Sequence, residues 1–142
     1  MERSMWLMSF LFAGEQKPMD TIRIMKGLFI VGQESPKPLP SYYEFEPYLY
    51  GPCSFEVYGD LDELLKAGLV EEHRPYYRSY CLTAKGTEKA KNAWSQIAAD
   101  IRLRIETTKE LVLSKSFSEL LEYVYTKWPK MASMSIFSPI RR

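Results

Sequence analysis

The sequence predicts a mainly α-helical protein that carries one small β-hairpin. Three observations in the middle of the chain lead to this prediction. An amphipathic helix stops at Gly68, two β-rich segments at residues 69–74 and 77–82 flank a proline-containing turn, and Thr83 supplies the N-cap of a further helix. Helix, glycine stop, hairpin and helix follow one another as in a winged helix-turn-helix. We therefore predict that fold, with extra helices at its N- and C-terminal ends.

The helix that stops at Gly68 has the clearest apolar spacing in the chain. Its inward positions follow at i, i+4, i+7 and i+8, namely Val57, Leu61, Leu64 and Leu65. Ser54 stands directly before this helix, and serine is a preferred N-cap residue. We therefore expect the Ser54 side chain to cap it.

Two helices are predicted before this region. The first covers residues 3–13 and is apolar on most sides, which predicts a buried position. The second begins at Asp20 as N-cap and ends near Gly32. Three prolines within residues 34–40 indicate an extended surface loop. Residues 42–50 then predict a short strand or extended arm with one apolar face.

A single long helix over residues 84–113, roughly 45 Å in length, is predicted after the hairpin. Its apolar seam needs a partner, either the other helices or a second copy of the chain. We assign dimerisation to four seam residues, Trp94, Ile97, Ile101 and Ile105.

The last predicted helix, residues 116–128, opens with a capping box formed by Ser116 and Glu119. Residues 1–128 therefore make one winged-helix domain of ordinary size. Residues 129–142 are expected to form a flexible, basic tail.

Charge and cysteine content limit the function classes. The formal net charge is only +1, with 6 Lys and Arg against 10 Asp and Glu in residues 1–70, and 13 against 8 in residues 71–142. The positively charged residues of any anion-binding surface are therefore expected to come mainly from residues 71–142. Cys53 and Cys81 lack a CxxC spacing and the chain has one histidine, which argues against a zinc cluster or a disulfide framework. Two reduced thiols are typical of a cytoplasmic protein, with a disulfide between them as the alternative.

A membrane location is not expected. The apolar run at residues 5–13 has nine residues, whereas a bilayer span needs about twenty. It also lacks the positive flank and cleavage site of a signal peptide.

The candidate nucleic-acid contacts lie on the central helix and on the hairpin. In a winged helix the first turns of this helix enter the major groove, so Ser54 and Tyr58 are the predicted docking residues. His73, Arg74 and Arg78 surround the tip of the hairpin, where two guanidinium groups can contact phosphates. An alternative is that these arginines are ordinary exposed residues.

The outward face of the central helix argues against binding to DNA. Glu56, Asp60 and Glu63 lie on one predicted stripe. Carboxylates repel phosphates, and DNA-binding proteins usually gain affinity from several lysine or arginine contacts. This stripe is equally consistent with a solvated face or with a contact to a basic protein surface.

The sequence does not indicate an enzyme. His73 has no second histidine beside it and is a poor candidate for a general base. No phosphate-binding glycine loop and no nucleophile elbow occur in the sequence, and we expect no cofactor and no metal.

The central region resembles winged-helix regulators of the PadR and MarR type. The residues that carry this resemblance are Tyr58, Leu61, Leu64, Gly68, Leu69, Val70, Tyr80, Leu82, Thr83 and Gly86. The resemblance implies a DNA-binding regulator, and the long predicted helix is similar to the dimerising helix of the PadR branch. The run Tyr-Gly-Pro-x-Ser at residues 50–54 also resembles antitoxin proteins of the Panacea kind.

Two functional hypotheses follow. The first is a cytoplasmic, homodimeric regulator or accessory protein that binds double-stranded DNA. The second is a protein-interaction module, an antitoxin-like protein or an adaptor, that keeps the fold, does not bind DNA and recognises a partner with a basic surface.

Overall fold

The computed structural model describes residues 2–74 and 78–137, which are mainly helical with a small antiparallel sheet. The elements of these residues, in chain order, are α1 (Ser4–Phe12), β1 (Met19–Asp20), α2 (Thr21–Glu34), β2 (Glu46–Tyr48), β3 (Gly51–Cys53), α3 (Phe55–Lys66), β4 (Val70–His73), β5 (Ser79–Leu82), α4 (Ala84–Ser95), α5 (Ala99–Ser114), α6 (Phe117–Lys127) and a 3-10 turn (Pro129–Ala132).

The predicted hairpin is confirmed in its strands, β4 and β5, which pair antiparallel from Val70 opposite Leu82 to His73 opposite Ser79. The predicted turn lies outside the described residues. A third strand, β1, pairs with β5, so the sheet order is β1-β5-β4. The sequence did not predict β1, because two residues are too few to show an alternating pattern.

Within residues 42–50, predicted as one short strand or extended arm, Glu46–Tyr48 form strand β2 of a second hairpin. Strand β2 pairs with β3 across a turn that ends at Gly51, whose φ is +92°. Glycine adopts this left-handed backbone without steric cost. A side chain at this position would also lie 2.9 Å from the Tyr125 ring. The turn therefore packs directly against α6.

The helix starts agree well with the sequence patterns. Asp20 accepts a hydrogen bond from Arg23 N at 3.3 Å, and Thr83 Oγ1 accepts one from Gly86 N at 3.0 Å. Ser116 and Glu119 form the predicted capping box. The prediction for Ser54 is wrong in one respect: Ser54 precedes α3, but its side chain makes no capping hydrogen bond.

The predicted single helix over residues 84–113 is wrong. Helix α4 ends at Ser95, and Ala98 adopts an extended backbone with ψ of 147° before α5 begins. Helix α4 closes with two hydrogen bonds between residues three positions apart, from Gln96 N to Ala93 O and from Ile97 N to Trp94 O. No proline or glycine marks this break. Tertiary packing explains it, because α4 packs on α1 while α5 packs on α2, and one straight helix would not follow both directions.

Two of the four residues assigned to a dimer seam are buried within the single chain, and the other two are partly buried against its core. Ile97 and Ile105 are buried, at 5% and 2% exposure. The Trp94 ring lies 5.8 Å from the Phe12 ring, and Ile101 packs against the core. The chain itself therefore covers Ile97 and Ile105, which are not available to a second copy, whereas Trp94 and Ile101 keep part of their surface exposed.

Residues 129–137 of the predicted flexible tail pack against the rest of the chain. The 3-10 turn follows α6, and Ile136 N then donates to Leu49 O at 2.9 Å. The Phe137 ring lies 5.1 Å from the Phe117 ring. This segment folds back over α6 and the turn of the β2–β3 hairpin. Residues 138–142 lie outside the described residues.

Replacement of Gly86 by alanine tests the junction between the sheet and α4. A Cβ at Gly86 would lie 1.8 Å from Leu69 O, a backbone atom that accepts the Thr83 N–H at 3.1 Å. We expect Gly86→Ala to lower the free energy of unfolding by about 1–3 kcal/mol, the usual cost of overpacking. Urea unfolding followed by circular dichroism measures the change.

Gly59→Ala is the matched control. A Cβ at Gly59 in α3 has no atom within 4 Å, and alanine is the better helix former. This variant should raise the free energy of unfolding by about 0.5–1 kcal/mol. Equal effects of the two substitutions would contradict the close contact at Gly86.

Candidate functional site

The beginning of α3 and the turn of the β2–β3 hairpin form one exposed apolar surface. Its members are between 38% and 53% exposed and are called the aromatic patch below: Tyr48, Leu49, Tyr50, Phe55 and Tyr58. The Phe55 ring lies 5.2 Å from the Tyr48 ring, edge to face, and 6.4 Å from the Tyr58 ring. Contacts among these three rings therefore join strand β2 to helix α3.

Secondary-structure periodicity explains why these side chains face outward. Phe55 and Tyr58 are three residues apart on α3 and share a face, while Val57 and Leu61 turn into the core. Glu46 and Tyr48 are the exposed residues of β2. Contiguous exposed apolar surface is unusual on a monomer and marks interaction sites, and tyrosine is enriched in protein interfaces. Of the predicted docking residues, Tyr58 lies in this patch.

Ser54 does not lie on the surface, which corrects its predicted role in docking. The residue is 2% exposed, and its backbone N–H donates to Met25 Sδ at 3.3 Å. A buried hydroxyl cannot contact a phosphate. Ser54 is instead buried, with its backbone in contact with α2.

One arginine, Arg3, offsets part of the negative charge of the predicted acidic stripe on α3. Arg3 donates two hydrogen bonds to Asp60, at 3.0 and 2.9 Å, and one to Glu56 at 3.0 Å. The Tyr43 hydroxyl donates to Asp60 at 2.7 Å. Although burial raises the pKa of Asp60, the hydrogen bonds from Arg3 and Tyr43 outweigh it and lower that pKa. Two of the three carboxylates are thus tied to α1, and Glu63 remains exposed.

Arg74 directly follows β4 and Arg78 directly precedes β5, with side chains 63% and 66% exposed. Both approach the same oxygen of Glu72, at 2.9 Å from Arg74 and 3.5 Å from Arg78. This oxygen makes ionic contacts without an aligned hydrogen bond among the described residues. Two guanidinium groups share one carboxylate, so this side of the hairpin keeps a positive charge toward solvent.

His73, the remaining predicted contact residue, lies beside Glu71 and Cys81. His73 Nε2 is 2.9 Å from Glu71 Oε2 and 3.2 Å from Cys81 Sγ, and Cys81 Sγ is 3.9 Å from Glu71 Oε2. Burial and the Glu71 carboxylate raise the pKa of the Cys81 thiol, so it is not an activated nucleophile. The spacing of these residues along the chain does not reveal the cluster. The register of the hairpin does, because it pairs Glu71 with Cys81.

A small cavity of about 30 Å³ lies beneath the aromatic patch and is lined in part by a buried lysine, whose burial was not predicted from the sequence. Lys26 is 2% exposed, and its Nζ donates to Pro52 O at 3.2 Å. Burial lowers the pKa of this amine to about 8. The cavity also meets Cys53, Tyr48 and Tyr58. Its volume suits a water molecule rather than a substrate.

Comparison with known proteins leaves the family of the chain open. No protein-family model matches it, and no curated protein matches it significantly. In residues 2–74 and 78–137, no helix combines the length and apolar character needed to cross a bilayer.

The lowered pKa of Lys26 predicts a pH-dependent stability. The unfolded chain keeps the proton up to the ordinary pKa near 10.5, whereas the folded chain releases it at about 8. The unfolded state therefore binds more protons between these values, and stability rises with pH in that window. Methionine carries no charge, so Lys26→Met should stabilise the fold at pH 7, where the buried amine of the wild type is protonated. We expect this difference in the free energy of unfolding, measured by urea titration, to be smaller at pH 10.5 than at pH 7 by roughly 1–3 kcal/mol.

Lys91→Met on the exposed side of α4 controls for the added methionine. If the difference between the wild type and Lys26→Met stays constant across this pH range, the assigned environment of Lys26 is wrong.

Proposed function

We propose that this chain is a cytoplasmic winged-helix domain that acts as a protein-interaction module through its aromatic patch. The order of elements supports the winged-helix assignment. Helix α1, strand β1, helices α2 and α3 and the β4–β5 hairpin follow one another, and β1 joins the hairpin as a third strand. The two cysteines, Cys53 and Cys81, are free thiols, which supports a reducing compartment.

The segment between α2 and α3 supports interaction with protein rather than entry into a DNA groove. In DNA-binding helix-turn-helix proteins a turn of about 3–4 residues separates the two helices. Here residues 35–54 separate them and include the β2–β3 hairpin. Tyr48 of this hairpin contacts Phe55 in the first turn of α3. The end of α3 that would approach DNA is therefore flanked by apolar protein surface.

The side chains of α3 also fit a protein partner better than a nucleic acid. Lys66 is the only Lys or Arg between residues 55 and 66, and it pairs with Asp62 at 3.0 Å. Specific DNA binding usually draws on several cationic contacts. Exposed aromatic residues, in contrast, contribute disproportionately to binding energy at protein interfaces. The cluster of Tyr48, Phe55 and Tyr58 is the observation that carries this proposal.

The surroundings of the patch define the chemistry of the partner. Glu46 shares the exposed face of β2 with Tyr48, and Asp62 and Glu63 are exposed further along α3. A partner segment with apolar anchors and flanking lysine or arginine residues fits this arrangement, because opposite charges at the rim favour correct association.

DNA binding is the second candidate function, and one observation favours it. Arg74 follows β4 and Arg78 precedes β5, and the two side chains share a single carboxylate and remain exposed. In this alternative the hairpin contacts phosphates, whereas α3 makes few contacts with base edges and so adds little sequence specificity. A homodimer also stays a prediction, and it would need a surface other than the buried seam of Ile97 and Ile105.

Site-specific crosslinking in cells tests the main proposal. A benzophenone amino acid in place of Phe55 should crosslink to a partner protein, because Phe55 lies in the aromatic patch and is 53% exposed. The same group at Leu103, which is 60% exposed on α5, is the control position. The purified partner is then titrated against the wild type, Phe55→Ala and Leu103→Ala.

We expect Phe55→Ala to weaken this binding at least about tenfold, as for an interface hot spot, and Leu103→Ala to leave it unchanged. Crosslinking of the same proteins from both positions, or equal affinities of all three chains, would contradict the proposal.

Fluorescence anisotropy with random duplex DNA tests the second candidate. At low salt, wing contacts predict micromolar binding that weakens as salt rises, and Arg74→Ala with Arg78→Ala should reduce it at least about tenfold. Lys89→Ala with Lys91→Ala removes the same charge from the exposed side of α4 and should have little effect. Absence of binding, or equal losses in both double variants, counts against a DNA-binding hairpin.

A further inference from the structure

The hairpin has two chemically different faces. Directly paired residues of antiparallel strands share a face, so Glu71, His73 and Cys81 lie together on one side. Glu72 pairs with Tyr80 on the other side, where it meets the two arginines. The first face thus carries one carboxylate, one imidazole and one thiol with no lysine or arginine from the paired positions.

We propose that Glu71, His73 and Cys81 form a binding site for a divalent transition-metal ion, with Zn²⁺ as the preferred occupant. One ligand atom from each side chain lies within 4.8 Å of the other two. This site is separate from the aromatic patch and does not depend on the function proposed for that patch.

The spacing of the three ligand atoms matches a tetrahedral centre. Ordinary zinc bond lengths to sulfur, nitrogen and oxygen place ligand atoms about 3.4–3.6 Å apart around a tetrahedron. The observed separations are 2.9 Å for Glu71–His73, 3.2 Å for His73–Cys81 and 3.9 Å for Glu71–Cys81. Shifts of about 0.5 Å, within reach of exposed side chains, bring all three to bonding positions.

The donor set selects the kind of metal. A thiolate and an imidazole favour Zn²⁺ and related ions over Mg²⁺ or Ca²⁺, which prefer oxygen ligands alone. A cysteine thiol must lose its proton to become a metal ligand. Binding replaces this proton, which leaves to solvent, so the ion takes the place of the hydrogen-bonded proton between Cys81 and Glu71.

The position of the site suggests its role. Glu71 and His73 belong to β4 and Cys81 belongs to β5, so a bound ion would link the two strands. Three protein ligands leave a fourth position open to water or to a side chain of a partner. Because an ion that binds only the folded chain stabilises it, the metal would hold the hairpin in its register.

Metal titration of the full, reduced and metal-stripped chain tests the site. Competition between the protein and a chromophoric zinc chelator measures affinity and stoichiometry, and Co²⁺ reports thiolate ligation by a near-ultraviolet charge-transfer band. We expect one equivalent to bind the wild type. Cys81→Ser should lose the Co²⁺ band, and His73→Ala and Glu71→Gln should each weaken Zn²⁺ binding at least about tenfold, as for loss of a metal ligand.

Two substitutions provide matched controls. Cys53→Ser removes the other thiol, which is buried, and Glu72→Gln removes the adjacent carboxylate on the opposite face. Both should bind Zn²⁺ and Co²⁺ like the wild type. The proposal is overturned if the wild type binds no stoichiometric metal, if any of the three ligand variants keeps wild-type affinity, or if Cys53→Ser loses the cobalt band.

Discussion

Four hydrogen bonds around Leu69 and Thr83 join α3, the hairpin and α4, and the rest of the molecule depends on this junction. Leu69 N donates to Leu64 O at 2.9 Å, and Thr83 N donates to Leu69 O at 3.1 Å. Thr83 Oγ1 donates to Gly68 O at 2.7 Å and accepts the Gly86 N–H at 3.0 Å. One threonine thus closes the hairpin, starts a helix and ends the preceding turn. The close approach of α4 to Leu69 leaves room for only a glycine at position 86.

The character of α3 is determined by what packs against each of its faces. Arg3 of the N-terminal segment covers Asp60 and Glu56, which ties that face to α1. The β2–β3 hairpin contacts Phe55 and leaves an aromatic surface beside it. A helix that looks acidic along the chain therefore presents a mixed surface, in which apolar rings are prominent. The interaction proposed for this protein uses this exposed remainder of the helix.

Alternation along β4 separates two other sets of groups. Glu72 gathers Arg74 and Arg78 on one side, whereas Glu71 meets His73 and Cys81 on the other. A shift of one residue in strand register would exchange these faces. The pairing of β1 with β5 helps to prevent such a shift, because it anchors the second strand from its other edge.

The sequence by itself determined the features whose signals act within a few residues. The caps at Asp20, Thr83 and Ser116, the positive-φ stop at Gly68 and the two strands of the hairpin all agree with the structure. Each depends on a local hydrogen bond or a local backbone preference, so the responsible residues are neighbours in the chain.

Only the tertiary structure decided the break between α4 and α5, the burial of Ser54 and Lys26 and the folding-back of residues 129–137. It also brought together Arg3 with Asp60 and His73 with Cys81, pairs that lie 57 and 8 residues apart. These features arise from competition among surfaces for the core and from strand register. The physical reason is that such packing energies depend on residues distant in sequence, which no local pattern records.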